Sequence, residues 1–232
     1  MTAQANLALI EEIRKDLAAL TNPERAQRQQ AYMKSRLPYF GAKVPEVRAL
    51  TTQHLRQHPM RTREEMEATV RTLFDEATHR EEWYAALSIW TARKHAQFRT
   101  PESVPLLRHV IIAGAWWDVV DDVSGHVLAP LVVSHPAEVG PLARTWASDD
   151  HLWLRRAAVL SQVGLKQDLD TDLLSDVLEP NLERPEFFLR KGVGWALRDA
   201  SKHQPAWVRS YVAEHRSRMR PLSIKEATRN LP

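Results

Sequence analysis

Cysteine is absent from all 232 residues, which removes disulfides, Cys-ligated zinc, iron–sulfur clusters and thiol nucleophiles from the possible chemistry. The same absence suits a reducing compartment, so a cytoplasmic location is expected. Glycine is scarce, at 7 residues against 14 prolines, and the chain is therefore neither collagen-like nor of low complexity. Long apolar runs are also missing. The longest, around Val110 to Trp117 and Val127 to Val133, fall short of the ~20 residues that a membrane helix needs. The opening stretch mixes Leu7, Ile10, Ile13, Leu17 and Leu20 with Glu11, Glu12, Arg14, Lys15 and Asp16, so no apolar signal core is expected there. Phosphate-binding loops and the GxSxG elbow are lacking. No cofactor, no metal and no membrane partner are expected.

What is present is helical period. Leu7, Ile10, Ile13, Leu17 and Leu20 recur at steps of three and four, as do Met66, Val70, Leu73 and Ala77, and Leu174, Val177 and Leu178. Each set predicts one buried helix stripe. Pro23, Pro45, Pro101, Pro136, Pro185, Pro205 and Pro221 sit where helices could begin, whereas Pro130 should break or kink an otherwise helical run. Alternating runs of strand length with turn signals are lacking. The fold class is all-α.

A repeat lies within the helices. Trp83-Tyr84, Trp116-Trp117, Leu152-Trp153 and Phe187-Phe188 open four similar segments, separated by 33, 36 and 35 residues. A second amphipathic helix fits between them, near Pro101–Ile112, Pro136–Trp146 and Thr171–Val177. Two helices per unit at this period describe an α-solenoid of HEAT-like antiparallel helix pairs, expected to carry a concave face. Residues 1–232 are read as one such domain: N-terminal helices over 1–60, four repeat-like units over 80–215 and a C-terminal helix over 216–232.

Charge is uneven. From Arg184 onward, eleven Lys/Arg oppose four Asp/Glu, a surplus of seven, so with a total of +3 the preceding chain carries −4. Such a basic region suits a polyanion, although a solvated surface would read the same. Arg155-Arg156 and Arg190-Lys191 take equivalent places in consecutive units, and Trp195 and Arg198 share a helical face with Lys191. Cations interleaved with aromatics suit nucleic acid.

Candidate chemistry is sparse. In Trp116-Trp117-Asp118-Val119-Val120-Asp121-Asp122, Asp118 falls in a first helical turn, where a carboxylate offsets the helix dipole. Asp121 shares a face with Trp117, and a carboxylate beside an indole is costly to bury without a partner. It becomes useful where a cation forms; otherwise it is a solvated Asp beside a core Trp. His54 and His58 have the spacing of a metal pair but lack an evident third ligand. Gly192-Val193-Gly194 lacks the strand and third glycine of a dinucleotide fingerprint and suits close packing of a helix or ligand.

Taken in order, Trp116 to Asp121, Trp153 to Leu160 and Glu186 to Arg198, with Tyr32-Met33-Lys34, Phe40-Gly41 and the closing Pro221 to Ala227, the chain resembles the AlkD-type DNA alkylation repair glycosylases along nearly its whole length. The resemblance implies a monomeric HEAT-like enzyme acting on double-stranded DNA. It would hydrolyse the glycosidic bond of cationic N3- and N7-alkylated purines such as 3-methyladenine and 7-methylguanine, without base flipping and without lyase activity. Asp121 would be the catalytic carboxylate, with Trp117 and Trp195 flanking the lesion's deoxyribose. Arg156 would hold the DNA backbone and Tyr32 would touch it from the N-terminal helices. Arg190, Lys191 and Arg198 would support binding, and Phe187 and Phe188 match an aromatic pair of the family. The alternative is a noncatalytic DNA-binding relative of the same fold.

Overall fold

The computed structural model describes residues 4–231. Fourteen α-helices, joined by short 3-10 turns and one π turn, account for the secondary structure among these residues, and no strand occurs. The helices gather into two compact units, one ending at Leu106 and the other beginning at Leu107.

The first unit contains α1 (Leu7–Ala19), α2 (Pro23–Met33), α3 (Val44–Gln57), α4 (Arg63–Asp75) and α5 (Arg80–Thr91). Asn6 caps α1 by accepting from the Leu9 amide at 3.0 Å, and Pro23 opens α2 behind the cap Asn22, as expected of these residue types. The buried stripe of α1 is Leu9, Ile10, Ile13 and Leu17, while Leu7 is 60% exposed. The three-and-four period is correct, but its first member is displaced by two residues. Met66, Val70 and Leu73 of α4 face α5, whose Ala85, Ala86, Ile89 and Trp90 are fully buried. Small residues on α5 allow α1, α3 and α4 all to pack against it.

The start of α5 is polar and buried. Glu81 has no exposed surface and accepts backbone N–H groups from Phe40, Gly41 and Ala42 at 3.0, 2.8 and 3.1 Å. Gly41 has φ +97, and a Cβ there would stand 2.3 Å from the Asn22 carbonyl, so no other residue fits. The same loop holds α2: the Asn22 amide donates to the Phe40 carbonyl at 2.8 Å and Gln29 Nε2 to the Ala42 carbonyl at 3.0 Å. His54 and His58 meet carboxylates of α1, with His54 Nδ1 and His58 Nε2 at 3.1 and 2.9 Å from Glu12 and His54 Nε2 at 2.9 Å from Asp16. They tie α3 to α1. No group of three His, Cys, Asp or Glu among the described residues is arranged to hold a metal ion.

Continuing along the chain come α6 (Val104–Gly114), α7 (Trp117–Val123), a π turn at Ser124–Leu128, α8 (Ala129–Ser134), α9 (Pro136–Ala147) and α10 (Leu152–Val159). Then follow α11 (Thr171–Leu178), α12 (Phe187–Ala200), α13 (Pro205–Glu214) and α14 (Pro221–Ala227). Helices α7, α10 and α12 begin at the bulky doublets read from sequence; α5 begins three residues ahead of its doublet. In the second unit α10 lies between α7, α9 and α12, and α12 packs closely on α14. Pro130 produces no break in the helical run from Trp117 to Ser134. It has no N–H for the His126 carbonyl, and the helix widens just before it, where the Ala129 amide bonds to the Ser124 carbonyl five residues back. Arg155, expected in a basic stripe, instead donates to the Ala147, Ser148 and Asp149 carbonyls. These are acceptors that the end of α9 leaves unpaired. No helix among the described residues is long and apolar enough to cross a membrane.

Removing the Glu81 carboxylate would strand three amides in a dry site. Glu81→Ala should destabilise the protein by about 3 kcal/mol, the scale for losing hydrogen bonds to a buried charge, measured as a drop in the urea midpoint at constant slope.

Candidate active site

In the second unit, α7, α10 and α12 converge on one carboxylate. Asp121 stands one turn beyond Trp117 on α7. Arg156, near the end of α10, meets it with two parallel bonds: Nε donates to Oδ1 at 2.7 Å and Nη2 to Oδ2 at 2.8 Å. Its Nη1 donates to the Phe188 carbonyl at 2.5 Å, so every nitrogen of the planar fork is engaged. Gly192 supplies the room. A Cβ at that position would lie 3.3 Å from Arg156 Nη1 and 3.4 Å from Val159 Cγ1.

The Asp121 carboxyl is held above the ordinary aspartate range. Burial is the largest cause; the Arg156 hydrogen bonds and charge pull the other way, and the nearby Asp118 and Asp122 carboxylates add to the rise. Asp118 lies in the first turn of α7, as expected of a dipole-offsetting carboxylate.

Asp121 borders a cleft of about 270 Å³ whose lining includes Gly125, His126, Leu160 and Trp195. Asp121 and Trp195 are thus brought together as expected. Trp117 is half-buried on the Asp121 face of α7 but does not line this cleft. Gly125 has open space where a Cβ would be. His126 Nδ1 lies 2.9 Å from the Asp122 carbonyl oxygen and 3.3 Å from Asp122 Oδ1.

The cationic residues fare differently from one another. The resemblance assigns Arg156 to the DNA backbone, yet it is 4% exposed and faces Asp121 in place of solvent. Lys191 Nζ bonds Glu226 of α14 at 2.7 Å, and Arg198 takes the other oxygen of the same carboxylate. Their pull keeps Glu226 below the ordinary glutamate range. Gly194 permits this approach, since a Cβ there would sit 2.9 Å from the Ser223 carbonyl. Arg190 is half-buried, and its Nε has no hydrogen-bond partner. Tyr32 of α2, in the first unit, is 76% exposed.

The aromatic pair divides its labour. Phe188 packs against Trp116 and Trp153 with ring centroids 5.3 and 5.0 Å away and lies 5.9 Å below the Arg156 guanidinium carbon. Phe187 is 51% exposed. Trp116 and Trp153, not singled out as site residues from sequence, fasten the starts of α7, α10 and α12 to one another, and the doublets that disclosed the repeat were their signal. The turn into α7 carries Ala115 at φ +36, a left-handed conformation that costs about 1–2 kcal/mol for alanine. Glu226 and His126 were also missed. Glu226 is separated from Lys191 and Arg198 by 35 and 28 residues, beyond any local pattern.

Residues 13–231 match the DNA alkylation repair enzyme family. A solved structure described as a predicted DNA alkylation repair enzyme from Enterococcus faecalis is 30% identical and superposes with a TM-score of 0.80, covering 91% of this chain and 96% of that one. No curated protein matches. The match over nearly the full sequence, together with the shared helical fold, shows that the chain belongs to the DNA alkylation repair enzyme family.

Proposed function

We propose that the protein is a monofunctional DNA glycosylase that releases cationic N3- and N7-alkylated purines from duplex DNA, acting as a monomer with HEAT-like helix pairs. The observation that carries this reading is a carboxylate held at the edge of a cleft with an indole across it: Asp121, clamped by Arg156, with Trp195 in the same lining. An N3- or N7-alkyl purine already bears a positive charge, so it departs with little acid help. The demanding species is the oxocarbenium-like sugar. A preorganised carboxylate stabilises that charge, and the indole of Trp195 in the same lining adds cation–π attraction.

Supporting the monofunctional reading, no lysine lines the cleft, so a Schiff-base step has no nucleophile there. Enzymes that flip a base enclose it and read its hydrogen-bonding edge. Asp121 and His126 are the ionisable side chains lining this cleft, and the rest of its lining is glycine, aliphatic or indole, which suits a sugar better than a base edge. Arg190, Phe187 and Tyr32 have surface to offer DNA, and Lys191 and Arg198 reach it from their shared Glu226.

Asp121→Asn keeps the shape and removes the charge. Release of 7-methylguanine in single turnover should fall by about 10²–10³, the scale for one preorganised electrostatic group. Stability should fall by about 1–3 kcal/mol because Arg156 loses a charged acceptor. Asp118→Asn should leave the rate nearly intact; wild-type excision by the Asp121 variant beside an inactive Asp118 variant would reverse the assignment. Unaltered DNA binding without any base release by the wild type would mark a noncatalytic DNA-binding protein.

Excision needs ionised Asp121. Because burial raises its pKa above the usual ~3.9, the acid limb of the single-turnover pH–rate profile should bend at a higher pH than an exposed aspartate would give. The linked stability has the opposite sense. The folded state binds this proton more tightly than the unfolded state, so the stabilisation is complete below the unfolded pKa and is lost as pH rises through the folded one.

Arg156→Ala discriminates between a clamp and a phosphate ligand. With Arg156 buried against Asp121, excision at saturating enzyme should fall more than tenfold. The log–log salt slope of DNA binding should move by much less than the ~1 unit lost with a phosphate contact.

A further inference from the structure

We infer that Asp199 is a positioning residue for the reaction in the Asp121 cleft: its carboxylate ties a turn that walls the cleft to the helix that carries Trp195. The inference rests on the glycosylase reading above. Leu160, Val163 and Gly164, in the turn that follows α10, line the cleft together with Trp195 of α12. Asp199 lies outside that lining. It stands four residues beyond Trp195 on α12, hence on the same helical face, and its Oδ2 accepts the Gly164 amide at 2.6 Å.

The local chain gives no reason for a carboxylate at this position. Asp199 is in the last turn of α12, where a negative charge opposes the helix dipole. Lys202 offsets that cost, with Nζ 2.6 Å from Oδ1. The Gly164 amide supplies a reason for the charge itself. Gly164 has φ +88, a conformation open to glycine at no steric cost, and its N–H finds its acceptor on α12.

Other bonds hold the same turn on its far side. Gln162 exchanges two hydrogen bonds with the Asp170 backbone, at 2.7 and 2.8 Å, just ahead of α11. The bond from Gly164 to Asp199 joins the turn to α12. The separation of the turn from Trp195 is thus set by a hydrogen bond to a charged acceptor, which is shorter and stronger than one between neutral groups. With the bond cut, the turn relaxes away from α12 and water enters beside Asp121. The higher local dielectric then weakens the attraction between that carboxylate and a cationic sugar. DNA binding, which draws on surface cations, is left as it was.

The test uses the full-length protein and duplex DNA containing 7-methylguanine, in single turnover. Asp199→Ala and Asp199→Ser lack an acceptor that reaches the Gly164 amide. Each should lower the rate at saturating enzyme about tenfold, short of the ~10²-fold that a full 1 Å misplacement can cost. The enzyme concentration giving half that rate should change by less than about twofold, as for a group that acts in the transition state and not in binding. Asp199→Asn keeps an acceptor oxygen and should run near the wild-type rate, as should Lys202→Ala. The Gly164 amide proton, shifted downfield by its short bond to a carboxylate, should move upfield in Asp199→Ala and Asp199→Ser and move less in Asp199→Asn. Wild-type rates in the alanine and serine variants, or a loss confined to the half-saturating concentration, would overturn the proposal while leaving the glycosylase reading standing. So would an asparagine variant as slow as the alanine one with its Gly164 amide still downfield. A wild type that releases no base would overturn both.

Discussion

A carboxylate withdrawn from most of its water keeps its charge only while a cation is pressed against it, and the second unit is organised around that demand. The Asp121 side chain is 17% exposed and that of Arg156 5%. Holding them at bidentate distance requires α10 to lie close to both α7 and α12. Gly192 opens the space, the Phe188 carbonyl takes the last guanidinium nitrogen, and the rings of Trp116, Trp153 and Phe188 set the helix starts at a fixed spacing. A buried ion pair is often no more stable than a well-packed apolar pair of the same volume. Stability therefore gives no reason for this one, and its place beside a cleft does.

Two other carboxylates are used differently. Glu81 gathers three backbone amides and so fixes the loop that carries α2 and Tyr32. Glu226 gathers two cations of α12 and sits where Gly194 admits α14. Each is anchored by several donors, and Asp121 alone of the three borders the cleft beside Trp195.

Helix positions were legible from sequence because periodicity and proline report on the local chain. The doublets marked the starts of α7, α10 and α12, and Pro23, Pro136, Pro205 and Pro221 each became the first residue of a helix. The pairing of Asp121 with Trp195 in one cleft came from a family resemblance, since nothing in the spacing of positions 121 and 195 predicts proximity. What stayed hidden depends on tertiary approach. Arg155 and Arg156 are adjacent and chemically alike, yet one closes the end of α9 and the other clamps Asp121. Lys191 and Arg198 read as free cations because their common partner lies on another helix. Pro130 signalled a disturbance, but a local rule distinguishes a break from a widened turn only once the neighbouring packing is known.

The glycines of the second unit divide by what surrounds them. Gly194 is imposed by neighbours that leave no room for a methyl group, and at Gly192 a methyl group would crowd the Arg156 guanidinium, whereas Gly125 faces open space. An alanine there would meet no obstacle, and in helical surroundings would gain roughly 0.5–1 kcal/mol. The fold thus forgoes stability at position 125 and retains headroom beside the carboxylate. Cleft size is consequently an adjustable trait, and one nucleotide change in that codon could narrow what the site admits without disturbing a single helix contact.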